Sequence, residues 1–371
     1  MKKLLCLLFS CVLFALSCVG AQAREVPVSA AAYVLYCPDN EKIIFSDNAD
    51  KQLPMASTTK IMTTLLTLEE AAVDNRVVEF TDEMIAEGSS MYLKKGEKVT
   101  LYDLAVGMMM QSGNDAANAA ALSVAGSFES FADLMNEKAA AIGMTRTHFV
   151  TPSGLDDENH YSTAYDMALL MAYAMQNEDF ATITSQTSME VHFLYPADKF
   201  ITYPNHNKLL KMYKDCIGGK TGFTDAAGRC LVTAARHEGL TLIAVTLNDR
   251  SDWGDHTELY DEGFSRYKAM TVNSDIDSVS VVGGEADSVE LNTDELRVVV
   301  PADTEEVTSR VCLPSFLYAP IEQDAVIGKI VWFSDGEVLS EMPVKAARSI
   351  GQDRRKRSLF TYLKDLLHWH S

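Results

Sequence analysis

Three short polar strings, far apart in the chain, constrain its fold more than any other feature. They are Ser57-Thr58-Thr59-Lys60, Ser112-Gly113-Asn114 and Lys220-Thr221-Gly222. Together they supply a hydroxyl, two amines and an amide, the parts that attack an amide bond through a covalent ester. A fold that uses them must gather all three at one cleft, with an uncharged lysine amine against a serine oxygen. The chain carries its own controls. Ser265-Arg266-Tyr267-Lys268 repeats the spacing of the first string and Ser46-Asp47-Asn48 resembles the second. Neither stands in order with the other elements, and Lys-Thr-Gly occurs once.

Each string has a chemical reading and a plainer one. On the first turn of a helix opening near Ala56, Ser57 and Lys60 share a face. An ammonium is no base, so Lys60 must lose its proton, which burial and neighbouring cations favour. A helix N-terminus also directs backbone N–H groups at an incipient oxyanion. By itself the string equally fits a Ser/Thr-rich helix cap followed by a surface lysine. Ser112 and Asn114 lie in a polar knot between apolar helices. Ser112 would relay a proton to the leaving amine; Asn114 would bond the substrate backbone and hold Lys60. A helix–helix loop needs Ser, Gly and Asn in any case. The third string reads as a strand edge facing the cleft. Lys220 adds positive potential, Thr221 offers a hydroxyl to a carboxylate, and Gly222 lets substrate approach the backbone. As a bare glycine turn it would be unremarkable.

At 371 residues the chain suggests two domains. A hydrophobic share of 47% with 23% charged residues describes a globular protein, and a net charge of -20 argues against a nucleic-acid surface. Lys2 and Lys3, the apolar run 4–16 and Ala21-Gln22-Ala23 read as a secretory signal over 1–23, cleaved after Ala23. A lipoprotein cysteine at Cys18 fits less well. The run is short for a membrane span. Cys6, Cys11 and Cys18 leave with that peptide. Cys37, Cys216, Cys230 and Cys312 remain, without zinc spacing, and read as four buried free thiols with one bridge as the alternative.

Segments 31–37 and 42–45 read as a β-hairpin across a turn at 38–41. Helical patterns follow near 56–68, 101–110, 114–125, 130–142 and 163–175. Strands at 230–235 and 240–247 and a helix at 255–267 close an α+β catalytic domain over 24–270, an antiparallel sheet beside a helical cluster. Residues 274–347 alternate apolar and polar in short runs and read as a small all-β sandwich. The stretch 274–345 holds fifteen acidic and four basic residues and no catalytic constellation. Residues 352–371 reverse the charge: Arg354-Arg355-Lys356-Arg357 precedes an apolar stripe at helical spacing, an amphipathic helix suited to an anionic membrane surface. The alternative is a helix docked on the protein itself.

The three strings match the S-x-x-K, S-x-N and K-T-G set of the penicillin-interacting serine enzymes. The segment 53–63 resembles the active-site signature of serine D-alanyl-D-alanine carboxypeptidases, the low-molecular-mass penicillin-binding proteins of the penicillin-binding protein 5 type. Segments 112–117, 220–224 with Ala227-Gly228, and 160–166 resemble further signatures, and the likeness runs along essentially the whole chain. It implies the penicillin-binding/serine β-lactamase-like fold, and removal of the terminal D-alanine from peptidoglycan pentapeptide stems through an acyl-serine. It implies no metal or cofactor, and acylation by β-lactam antibiotics; the signal segment and the amphipathic tail predict an exported enzyme on the outer face of the cytoplasmic membrane. By carry-over, Ser57, Lys60 and Ser112 are catalytic. Asn114, Lys220, Thr221, Gly222 and Phe223 bind substrate, with the N–H groups of Ser57 and Phe223 as the oxyanion hole. Where some relatives place a carboxylate-binding arginine, this chain reads 252–256 as Asp-Trp-Gly-Asp-His, leaving Arg229 or Arg250 as substitutes.

Two other readings compete. A serine β-lactamase shares the first and third strings, but the glutamate signature of its class A deacylation base has no match here. A non-catalytic wall-binding or antibiotic-sensing protein would not need the full residue set. His237-Glu238 lacks the spacing of a metalloprotease. His160 is a lone histidine best read as structural, and His206 sits in a polar loop, at the cleft or in solvent.

Overall fold

The computed structural model describes residues 26–273, 276–292, 295–334 and 336–353. The expected signal segment and nearly all of the expected membrane helix lie outside them. The first part of the chain is built on a five-stranded antiparallel sheet. Its order is Lys42–Asp47, Ala32–Cys37, Leu240–Asp249, Gly228–His237 and Cys216–Thr224. Side chains alternate across a strand, and both faces here are apolar because both are covered. Val34 and Tyr36 pack with the helices Lys60–Val73, Leu101–Gln111, Asn114–Ala125 and Ala164–Ala174. Leu35 and Cys37 point the other way, against Leu259 and Tyr260 of the helix Asp252–Arg266.

Local chemistry sets the helix ends. Thr100 and Asp103 exchange hydrogen bonds as a capping box before Leu101–Gln111. Ser127 and Thr163 accept from the amides of Ser130 and Asp166 to start Phe128–Ala141 and Ala164–Ala174. The expected continuous helix from Ala56 begins instead as a 3-10 turn, Ala56–Thr59, and becomes α-helical at Lys60. The expected helix at 255–267 runs Asp252–Arg266, and Tyr267 opens a strand.

That strand, Tyr267–Val272, pairs with Leu296–Pro301. Opposite this pair stands a six-stranded sheet whose central hairpin is Val326–Ser334 with Glu337–Ala346. Val272, Val298 and Val300 from the first sheet meet Ile330, Trp332 and Val344 from the second in one core, a two-layer β arrangement. Cys37, Cys216, Cys230 and Cys312 are free thiols, but the expected burial holds only for Cys37 and Cys230; Cys216 is half-buried, and Cys312 is exposed because its strand, Thr308–Cys312, faces solvent.

Candidate active site

Ser57 lies in a turn pressed against the end strand of the five-stranded sheet. Ala56 holds a left-handed φ of 49°, and the Met55 carbonyl accepts from the Thr58 amide and, at 2.6 Å, from its hydroxyl. Left-handed backbone at a non-glycine residue is strained and persists only where packing over-determines it. In a 3-10 turn positions three apart eclipse, so Ser57 and Lys60 align. Ser57 alone among residues 55–60 is partly open; Lys60 is fully buried.

Lys60 Nζ lies 3.0 Å from Ser57 Oγ and 2.6 Å from both Asn114 Oδ1 and the Ser153 carbonyl. The Asn114 amide is oriented by its own N–H, which donates to the Glu87 carbonyl at 2.6 Å. Burial pushes the Lys60 amine well below the usual lysine range, and the nearby Lys220 adds to the effect. A neutral amine has two N–H bonds and one lone pair. The two short acceptors take the hydrogens, which leaves the lone pair for the Ser57 hydroxyl. Asp115, next to Asn114, accepts from the amides of Met91 and Leu93 and from Ser90 Oγ. It thereby fixes the loop that forms one wall.

Ser112 ends its helix in left-handed backbone, φ 57°, and is 5% exposed. Its Oγ accepts from Lys220 Nζ at 2.9 Å. Lys220 is buried too, and burial lowers its amine to about 7. Gly222 comes so near the nucleophile's turn that a Cβ there would sit 3.0 Å from the Ser57 nitrogen. Here glycine serves close backbone approach, not a special φ. Ser57, Ser112, Thr221, Gly222 and Phe223 line one cavity of about 340 Å³. Five of the eight residues expected from sequence thus line this cavity, and the other three bond directly to lining residues: Lys60 to Ser57, Lys220 to Ser112, and the Asn114 amide to the Ser89 carbonyl. The decoy strings do not; Ser46 and Asp47 lie in the strand at the opposite edge of the sheet.

The far wall was only half legible. Arg229 lines the cavity and Arg250 does not. The Arg229 guanidinium is held by a bidentate pair with Asp252, Nη2 to Oδ1 at 2.6 Å and Nε to Oδ2 at 3.1 Å, and lies over the Trp253 ring. His206 and Lys208 complete the rim. Asp252 is the sole carboxylate among the described residues lining the cavity. The carbonyls of Ser153 and Glu87 escape a reading by side-chain motif altogether.

A lysine-activated serine between a helical cluster and a Lys-Thr-Gly strand defines a serine acyl-enzyme. Comparison with known proteins narrows this. A family model described as D-alanyl-D-alanine carboxypeptidase matches residues 19–251, and one described as Penicillin-binding protein 5, C-terminal domain matches residues 264–352. The chain belongs to the D-alanyl-D-alanine carboxypeptidase family. It is 32% identical to the D-alanyl-D-alanine carboxypeptidase DacF of Bacillus subtilis over 93% of this chain and 91% of that protein. The crystal structure of penicillin binding protein 5 from Haemophilus influenzae superposes with a TM-score of 0.74 at 28% identity, covering 88% of this chain and 99% of the other. A Streptomyces K15 DD-transpeptidase mutant superposes with a TM-score of 0.62 at 28% identity, covering 65% of this chain and 99% of its own.

Proposed function

We propose that the chain is a serine D-Ala-D-Ala carboxypeptidase that trims the terminal D-alanine from peptidoglycan pentapeptide stems and is acylated by β-lactams. The observation that carries this is the Lys60 amine, stripped of water and set 3.0 Å from Ser57 Oγ. In this reading Lys60 takes the Ser57 proton as Oγ attacks the carbonyl carbon of the penultimate D-alanine. The oxyanion forms between the N–H groups of Ser57 and Phe223. The Lys60 ammonium gives that proton back by way of Ser112 to the leaving nitrogen, the C–N bond breaks, and D-alanine departs with Lys60 neutral again. Water then attacks the ester, gives its proton to Lys60, and Ser57 regains its hydrogen. Thr221, Lys220 and the anchored Arg229 receive the substrate carboxylate.

Asp252, the one carboxylate among the described residues that line the cavity, is committed to Arg229. This favours a long-lived penicilloyl ester over the fast turnover of a β-lactamase. Incubation with a pentapeptide stem should release D-alanine, and Ser57→Ala should release none. A β-lactam should label the protein one to one and persist; rapid hydrolysis of the drug would turn the assignment to lactamase.

Export through residues 1–23, domains at 24–270 and 274–347, and peripheral attachment by residues 352–371 complete the reading. Among the described residues no helix is long and apolar enough to cross a membrane. Deleting residues 352–371 should move the protein to the soluble fraction; retention on membranes would place the anchor elsewhere.

A further inference from the structure

His160 is 3% exposed and does not line the Ser57 cavity. Its Nδ1 accepts from the amides of Val150, at 2.9 Å, and Thr151, at 3.2 Å. The ring proton therefore sits on Nε2, which donates to Thr59 Oγ1 at 2.8 Å. Both ends of this bridge lead to Lys60. Thr59 is its chain neighbour, and Val150 and Thr151 begin the loop whose Ser153 carbonyl takes a Lys60 hydrogen at 2.6 Å. The same loop is seated hard on the nucleophile's turn. Thr63 Oγ1 donates to the Pro152 carbonyl at 2.6 Å, and a Cβ on Gly154 would fall 2.0 Å from the Ala56 carbonyl oxygen.

An imidazole can do this only while neutral, because Nδ1 must accept. Asp157, Asp156, His148 and Lys60 are the charged or titratable groups that face it; burial, with His148 and Lys60 acting in the same sense, outweighs the two carboxylates and keeps the ring uncharged down to about 4. The lone pair of Lys60 faces Ser57 only as long as Asn114 and Ser153 keep both its hydrogens. Loss of the Ser153 partner frees the amine to rotate and opens its far side to water.

We propose that His160 is a positioning residue for acylation: through Thr59 and the amides of Val150 and Thr151 it holds the Ser153 carbonyl against the Lys60 amine. The inference rests on reading Ser57 and Lys60 as nucleophile and base. It is tested by β-lactam acylation of the full chain across pH, comparing wild type, His160→Leu, His160→Gln and the near-isosteric Thr59→Val. The leucine variant should acylate at least about tenfold more slowly, with the dissociation constant of the complex before acylation unchanged. Its acidic limb should move to higher pH, because water reaching Lys60 favours the ammonium. Thr59→Val should shift the limb the same way and carries the test if the leucine variant does not fold. Glutamine, which both accepts and donates, should recover the rate to within about threefold. Folded variants with the wild-type rate and limb overturn the inference, as does a slower rate with an unmoved limb. If wild type itself resists labelling, the nucleophile assignment falls first and takes the inference with it.

Discussion

Lys60 and Lys220 show how burial turns one residue type to two uses. Lys60, desolvated and flanked by acceptors, is the base of the proposed reaction; Lys220, lowered only to about 7, still takes a proton near neutrality. On binding, an anionic substrate would keep that proton in place. The profile of kcat/KM should therefore show a basic limb near 7 that is missing from kcat. Equal limbs in both profiles would remove Lys220 from carboxylate binding. His256, wedged between Thr233 and Thr246, stays neutral to about 3 because it is buried. The unfolded chain takes up this proton below about 6.5 and the folded one does not, so stability falls as pH drops from there. By pH 4 the loss is about 3 kcal/mol. Urea midpoints between pH 7 and 4 should record it, and His256→Gln should flatten the slope.

At the scale of elements, apolar spacing located the helix Asn114–Ala125 to the residue, and a left-handed Gly126 closes it. The five-stranded sheet's inner strands were legible for the same reason: unbroken apolar runs bounded by turns. Legibility failed where tertiary contacts decide. The 3-10 turn at Ser57 exists because the Gly222 strand and the Gly154 loop press on it, which no local pattern reports. Tyr267 continues a helical stripe in the sequence, yet its ladder to Leu296–Pro301 makes it strand. Thr308–Cys312 is exposed along its whole length and shows no alternation to read. Asp115→Ala tests the wall of the site at this scale. It strips the Met91 and Leu93 amides of their acceptor, each worth about 1–3 kcal/mol when buried. Thermal melting should fall accordingly, and acylation should slow because Asn114 is adjacent. Gly222→Ala should differ: a Cβ 3.0 Å from the Ser57 nitrogen displaces the nucleophile, so acylation drops about a hundredfold with little change in melting.

For the whole molecule, chemistry and the second core lie in separate parts of the chain. Trp332, 1% exposed, fills the two-layer β core with Val300 and Val344. Trp332→Ala should cost about 3–5 kcal/mol in that core. Acylation at 25 °C should be unchanged, and a matching loss of rate would show that the two parts are coupled. An inner pairing of the five-stranded sheet joins Ala32–Cys37 to Leu240–Asp249, segments from opposite ends of the first part. Loop-closure entropy makes such a ladder late to form. A ribosome-tethered fragment that already contains Ser57 thus lacks the frame behind that serine. Reactivity toward the drug should arrive all at once when the last strand docks, so unfinished chains pass through synthesis inert.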